Sequence, residues 1–216
     1  MLTQCIIFTF YIYTFTIYSI ALEVLFGFTD GYSILADNYI MYQEGTDSNR
    51  YTYIPYDPEY SLGNTLVKLD DILTGDYRAF PGLSVQPLTS KFLLVPEFKK
   101  RFEILLEYLA VNLFNLDVLG RFIDSTVAMI QEDIRWDLSL ERLSHSNFIP
   151  SGDSWPWPID KKTVEDMTYH TFQATIPFDA AVNGPTGSIS SCGVKEFIAN
   201  KTRAINDFFE IYHYGS

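Results

Sequence analysis

Hydrophobic and polar positions follow two different rhythms along this chain. From Pro96 onward apolar residues recur at steps of three and four: Phe98, Phe102, Leu105, Leu106, Leu109 and Leu113. That spacing places them on one face of an α-helix, with Lys99, Lys100, Arg101, Glu103 and Glu107 on the other. Proline is tolerated at the first helical position, so Pro96 marks the start. Lys99 and Glu103 are opposite charges one turn apart, and the charged face reads as a solvated one. A second helix is expected from about Asp117 to Ile134, after a break at Asn115, and a final one from about Val194 to Phe209. Nearer the N-terminus the rhythm changes. Tyr39-Ile40-Met41-Tyr42 and Tyr51-Thr52-Tyr53-Ile54 are short runs of β-forming residues. The polar cluster Glu44 to Asn49 between them is turn-forming, so the pair reads as a β-hairpin with a long loop. Residues 64–95, broken by Gly75, Pro81, Gly82 and Pro87, read as irregular. Residues 144–160 read as a loop in which Trp155 and Trp157 pack over a helix pair. The expected fold class is α+β: a small hairpin near the N-terminus and a mainly helical body of about four helices.

The N-terminal stretch stands apart. No charged residue precedes Glu23. Residues 5–22 (CIIFTFYIYTFTIYSIAL) are marginally long enough to cross a hydrocarbon core as a helix. Ser19 and Ala21 are spaced like a signal-peptide cleavage site. Yet no Lys or Arg lies ahead of the run, where a signal peptide or an oriented membrane helix wants one. Its Thr, Tyr, Phe and Ile are β-formers and interfacial residues. Three readings stay open: a targeting or membrane-contacting segment, a buried core helix running into Ala21-Leu22-Glu23-Val24-Leu25-Phe26, and a reading frame begun in the wrong place.

Composition removes several function classes. The 216 residues make one or at most two domains. With 47% hydrophobic and 19% charged residues the chain is not disordered. A formal net charge of -12 repels nucleic acid, and no basic patch offsets it. Two cysteines, Cys5 and Cys192, make no disulfide framework. His145, His170 and His213 have no metal-ligand spacing and read as structural or surface residues.

Chemistry concentrates between Phe28 and Gly63, where Asp30, Asp37, Asp57 and Glu59 lie around the hairpin. Hard oxygen ligands of this kind suit Mg²⁺. Phosphoryl transfer uses one Asp to take or orient the proton of the attacking hydroxyl and another to hold the metal. By itself the pattern also fits aspartates that merely form turns.

The order of landmarks decides between them. Thr29-Asp30-Gly31-Tyr32 is followed by Asn38-Tyr39-Ile40-Met41-Tyr42, then by Tyr53-Ile54-Pro55-Tyr56-Asp57-Pro58-Glu59-Tyr60-Ser61-Leu62-Gly63. This resembles the CotH kinase family, the spore coat protein H-like atypical protein kinases of bacteria and fungi, some of which are surface adhesins or invasins. Further likenesses to its fungal branch are Pro87-Leu88-Thr89, Val95 to Lys99, Met129 to Leu140, Ala181 to Gly187 and Gly193 to Ile198. The likeness covers residues 21–212 as a domain, with residues 1–20 as a separate hydrophobic segment.

The resemblance implies that Asp30 is the catalytic Asp and Asp57 the metal-binding Asp, counterpart of the one in the D-F-G motif of ordinary kinases. It further implies Asn38 as a second metal or phosphate contact and Glu59 as the second acid of the metal pattern. The implied cofactors are Mg²⁺ and ATP, and the implied partner is a coat or surface protein phosphorylated on Ser or Thr. The implied location is secreted, cell surface or spore coat, with membrane contact through residues 5–22. Tyr56 replaces the family's Trp, and Pro58 stiffens the loop after Asp57. Only 29 residues precede Asp30, none of them Lys or Arg, and no Gly-rich phosphate loop lies among them. The chain therefore resembles the C-terminal lobe of such a kinase, and weak or absent catalysis is expected of it. The alternative is a non-catalytic surface or adhesion protein on the same scaffold, with a host receptor as partner. The sequon Asn200-Lys201-Thr202 agrees with that alternative. A third reading is a partial domain whose exposed lobe interface makes it associate.

Overall fold

The computed structural model describes residues 17–46, 51–140, 161–172 and 175–214. Helix α1 spans residues 17–26. The hairpin follows as β1 (Tyr39–Gln43) and β2 (Tyr51–Pro55), then α2 (Leu69–Leu73), a 3-10 turn (Tyr77–Ala79), α3 (Pro87–Leu93), α4 (Pro96–Asn112), α5 (Leu116–Leu138), α6 (Lys161–Phe172), α7 (Phe178–Asn183) and α8 (Val194–Tyr214). The fold is mixed and mostly helical, with one two-stranded antiparallel sheet among the described residues.

In α1, Ile17, Ile20, Ala21, Val24 and Leu25 are buried while Tyr18 and Leu22 face outward. Ile17, Ile20 and Ala21 thus belong to the core, and the membrane contact expected of residues 17–22 finds no support. Ser19 and Ala21, spaced like a cleavage site, are both buried. No helix among the described residues is long and apolar enough to cross a membrane. Cys5, His145, Trp155 and Trp157 lie outside the described residues.

Helix α8 is the spine of the body and packs against α2, α4, α5 and α7. Its buried stripe is Phe197, Ile198, Lys201, Ile205 and Phe209. Helix α4 offers Phe102, Leu106, Leu109 and Ala110 to the same core, with Phe98 and Leu105 at its margin. Leu113, expected inside, is half exposed because α4 ends at Asn112. Lys99 Nζ and Glu103 Oε1 are 3.9 Å apart, as the spacing predicts. The break at Asn115 is an N-cap: its side-chain oxygen accepts from the Val118 amide at 3.0 Å. Helix α5 then runs to Leu138, four residues past the expected end, without burying any residue fully. Leu119 and Ile123 touch the core margin, while Phe122, Met129 and Trp136 are each more than 60% exposed.

The body has more helices than the sequence pattern suggested. Residues 64–95, read as irregular, contain α2, the 3-10 turn and α3. Pro87 was counted as a breaker, yet it opens α3 at its first position, where the missing N–H costs nothing. Helices α6 and α7 had no counterpart in the sequence reading. Of the two described histidines, His213 is exposed, its Nε2 3.1 Å from Glu107 Oε2, and His170 is half-buried, its Nε2 3.6 Å from Asp166 Oδ1. Asn200 of the sequon lies in α8, its side chain accepting from Arg203.

Lys201 is fully buried in the α8 stripe. Its Nζ donates to the carbonyls of Ile72 (2.7 Å) and Thr74 (2.8 Å) and lies 5.2 Å from the centre of the Phe80 ring. It ties the end of α2 to α8 by capping carbonyls that the helix leaves open. Burial pulls its pKa down to about 7. A neutral amine has two N–H donors, which match the two carbonyls. The unfolded chain holds this proton to much higher pH, so it binds more protons than the folded chain above pH 7, and stability rises with pH there. Between pH 7 and 9 the wild type should gain about 2 kcal/mol from this residue. Lys201→Met, which strands both carbonyls, should cost about 2–3 kcal/mol at pH 7 and more at pH 9. Urea denaturation of both proteins at the two pH values checks this; parallel pH dependence would remove Lys201 as the cause.

Candidate active site

Helix α1 ends in a left-handed turn. Gly27 has φ +62°, and the Phe28 amide returns to the Glu23 carbonyl at 3.0 Å. This is the bonding of a glycine-terminated helix. The chain leaves the turn as a loop, residues 29–36, held from three sides. On one side the Thr29 amide donates to the Tyr60 carbonyl at 2.9 Å, and Thr29 Oγ1 accepts from the Leu66 amide at 3.4 Å. On another, Gln86 Nε2 donates to the Ile34 carbonyl at 3.3 Å. From beneath, the buried Glu23 carboxylate accepts from the Tyr32 amide (3.3 Å), the Ser33 amide (2.8 Å), Ser33 Oγ (2.7 Å) and the Tyr53 hydroxyl of β2. Burial raises the Glu23 pKa, and these hydrogen bonds offset it only in part. The rings of Tyr32, Tyr39 and Tyr53 pack together beside it, joining the loop to the hairpin.

Asp30 sits in this loop, 5% exposed. Its Oδ2 accepts from Asn38 Nδ2 at 2.5 Å, and its backbone carbonyl accepts from the Asn38 amide at 2.9 Å. Its Oδ1 is buried and has no hydrogen-bond donor. Burial, and then the negative charge of Glu59, push the Asp30 pKa up to about 7, against the hydrogen bonds from its own backbone and from Asn38. A carboxyl with that pKa can take or give a proton near neutrality.

Asn38 also closes the base of the hairpin. Its carbonyl accepts from the Tyr56 amide at 3.1 Å, and its Nδ2 approaches the Asp57 carbonyl at 3.4 Å. The strands pair in a register that sets Tyr39 against Pro55, which brings residues 38 and 56–57 together at the same end. Asp57 is exposed and has φ +53°, a conformation that non-glycine residues rarely adopt and that clusters at functional sites. Glu59 is exposed at the rim, its backbone carbonyl accepting from Asn64 Nδ2 at 2.9 Å. The structure therefore gathers Asp30, Asn38 and Asp57 through the one amide and leaves Glu59 acting on Asp30 by charge. Among the described residues no three of His, Cys, Asp and Glu converge as a metal cage.

Sequence reasoning passed over Glu23, the anchor of the loop. The signal was there: it is the one charged residue in α1, next to the apolar stripe of Ile20 and Val24.

Comparisons with known proteins bear on this geometry. The family model for CotH kinase protein matches residues 14–145, from α1 through the loop, the hairpin and α5. Invasin CotH7 of Rhizopus delemar is 28% identical over 131 residues, covering 58% of this chain and 21% of that protein. The chain thus spans about a fifth of the length of this curated relative. No solved structure matches the chain. Asp30, Asn38, Asp57 and Glu59 all fall inside the matched stretch, which is more than half of the sequence, and the chain belongs to the CotH kinase protein family.

Proposed function

We propose that the base of the hairpin is the phosphoryl-transfer site of a CotH-like kinase acting on Ser or Thr of coat or surface proteins. The observation that carries this reading is Asp30 Oδ1, a buried carboxylate oxygen with no donor, beside an amide that links the same carboxylate to Asp57. Leaving a buried acceptor open costs about 1–3 kcal/mol. An acceptor hydroxyl brought to Oδ1 by a shift of the covering loop would supply the missing donor and pass its proton to Asp30, whose pKa of about 7 suits a base near neutrality. Asn38 fixes the carboxylate through Oδ2 and leaves Oδ1 for that proton.

The residues fit Mg²⁺ in one sense only. Asp57 and Asn38 offer hard oxygens at the mouth of the site, but too few to enclose a metal. Mg²⁺ commonly takes one or two carboxylates and draws its other ligands from phosphates and water. Asp57, with Asn38 beside it, would hold the ion together with ATP, and the ion supplies charge neutralisation on the phosphates. Asp57 meets solvent, so it can be reached from outside, whereas Asp30 is buried.

Titrating the chain with ATP in the presence and absence of Mg²⁺ tests the metal half. A rise in melting temperature that needs both, and that Asp57→Ala abolishes, is expected. Asp30→Asn should leave this binding within about threefold and slow transfer of the γ-phosphate to a Ser/Thr substrate by at least about 100-fold. Turnover of the wild type is expected to be slow. No Mg²⁺-dependent response at millimolar ATP would end this reading.

The invasin name of the Rhizopus relative favours a second reading, a cell-surface adhesion protein on the same scaffold. The hairpin supplies a contact face for it, since Ile40, Tyr42, Ile54 and Tyr56 are all exposed. Labelling of intact cells with a membrane-impermeant reagent tests it: a chain that stays unlabelled until lysis is not a surface protein.

A further inference from the structure

The hairpin has one open edge. The Asn38 carbonyl takes the Tyr56 amide, so residues 38 and 56 form a hydrogen-bonded pair of the ladder. Alternation makes Ile40 with Ile54 and Tyr42 with Thr52 the next such pairs. Tyr39, Met41 and Gln43 fall between them, and their backbone groups point away from β2. Two of these outward groups are used locally. The Tyr39 amide donates to the Asp37 carbonyl at 2.6 Å, and the Gln43 carbonyl accepts from the Gly45 amide at 3.0 Å. The amide and carbonyl of Met41 stand between them, at the centre of the strand, and no third strand lies beside them among the described residues. Ile40, Met41 and Tyr42 are each at least 40% exposed, so this edge faces solvent.

The opposite edge is closed. Its outward positions on β2 are Tyr51, Tyr53 and Pro55. Tyr53 is buried, and Pro55 has no N–H to give. Open edges are normally guarded by charge, proline or a bulge. Strand β1 has none of these: Tyr39-Ile40-Met41-Tyr42-Gln43 contains no charged residue and no proline, and it pairs with β2 residue for residue. On the outer face of the sheet Ile40, Tyr42, Ile54 and Tyr56 make an exposed apolar strip.

We propose that β1 pairs edge to edge and antiparallel with the β1 of a second copy of this chain, joining two hairpins into one four-stranded sheet. The open groups are self-complementary. Met41 carries one donor and one acceptor at the midpoint of the strand, so a two-fold axis there lets each Met41 amide donate to the other's carbonyl. The same axis sets Ile40 against Tyr42 of the second copy, an aromatic and β-branched pair that extends the apolar strip. Charge also favours this occupant. An uncharged strand offers nothing to a basic or acidic peptide, and in a chain of net charge -12 it is a place where two copies can meet without opposing acids at the centre. The exposed acids Asp37 and Glu44 flank the strand, and the axis brings Asp37 of one copy near Glu44 of the other. A five-residue edge covers less than the 800 Å² or so per partner of a standard interface, so the dimer is weak, with half-association near about 100 µM. The pairing does not depend on phosphoryl transfer at Asp30 and Asp57.

Sedimentation velocity of the whole chain from about 5 to about 500 µM tests this. A shift from monomer to dimer is expected, with no larger species, because a two-fold pairing closes on itself. Added salt should strengthen it, since screening relieves the repulsion between acids. Met41→Pro removes the outward amide without taking a bond from the ladder, and Tyr42→Lys puts a charge on the exposed edge. Each should weaken dimerisation at least about tenfold with a melting temperature close to wild type. If Met41→Pro lowers the melting temperature, Tyr42→Lys decides alone. A chain that stays monomeric throughout, a dimer unmoved by Tyr42→Lys, or growth beyond the dimer overturns the proposal.

Discussion

Replacing Glu23 with alanine is expected to destabilise the chain by about 4 kcal/mol and to free the loop that carries Asp30. The carboxylate is the shared acceptor for the Tyr32 and Ser33 amides, Ser33 Oγ and the Tyr53 hydroxyl. Each donor stranded inside the protein costs about 1–3 kcal/mol. The two hydroxyls can turn toward new partners, but the two amides are fixed by the backbone. Glutamine is the sharper probe because it keeps the shape. Its oxygen can serve Tyr32 and Tyr53 in place of Oε1, but its amide nitrogen then faces the Ser33 amide, donor against donor. Glu23→Gln should therefore lose about half as much. Urea denaturation measures both, and near-ultraviolet dichroism of the tyrosine cluster reports whether the loop still packs. A Glu23→Ala protein within about 1 kcal/mol of wild type would show that the loop is anchored elsewhere.

Gly82→Ala should cost as much or more, acting on the same loop from the opposite side. Gly82 has φ +81° and lies against the loop so closely that an added Cβ would stand 1.6 Å from the Ser33 carbonyl oxygen. Nothing at that distance is a flexible side chain; the obstacle is backbone. Its own carbonyl takes the Val85 and Gln86 amides, both at 2.9 Å, so the turn cannot slide away without losing them. Clash and left-handed strain together should exceed about 4 kcal/mol or prevent folding. Gly45 supplies the control. Its φ is +80°, nearly the same, but nothing lies within 4 Å of an added Cβ. Gly45→Ala should therefore cost only about 1 kcal/mol, the strain without the clash. Equal losses at the two positions would refute the close approach of Gly82 to Ser33.

What the sequence disclosed was local. The hairpin, the break at Asn115 and the long apolar stripes of α4 and α8 rest on neighbours within a few residues, and a period over several turns shows in a linear string. Helices α2, α3 and α7 are too short to show one: five to seven residues make at most two turns. Lys201 and Glu23 were hidden for another reason. Charged residues are mostly at the surface, and only the fold brings the Ile72 and Thr74 carbonyls to one and the Tyr32 and Ser33 amides to the other. At the site, the order of Asp30, Asn38 and Asp57 was legible from family likeness, but the shared contact of Asn38 with both aspartates was not. It depends on strand register, which places residue 38 opposite residue 56.

Helix α5 has a consequence for the tempo of the molecule. It is 23 residues long and buries none of them fully; in its first half it is tied down by the marginal contacts of Leu119 and Ile123 and by the Lys195–Asp124 pair at 2.5 Å. Its far end can unwind while the core around α8 stays shut. Local opening of that kind needs only a fraction of the global unfolding free energy. Placed in heavy water, the amides of the second half of α5 should take up deuterium long before those around Phe197 and Ile205. The protein then carries two clocks, a fast one on its surface ridge and a slow one in the helix beneath.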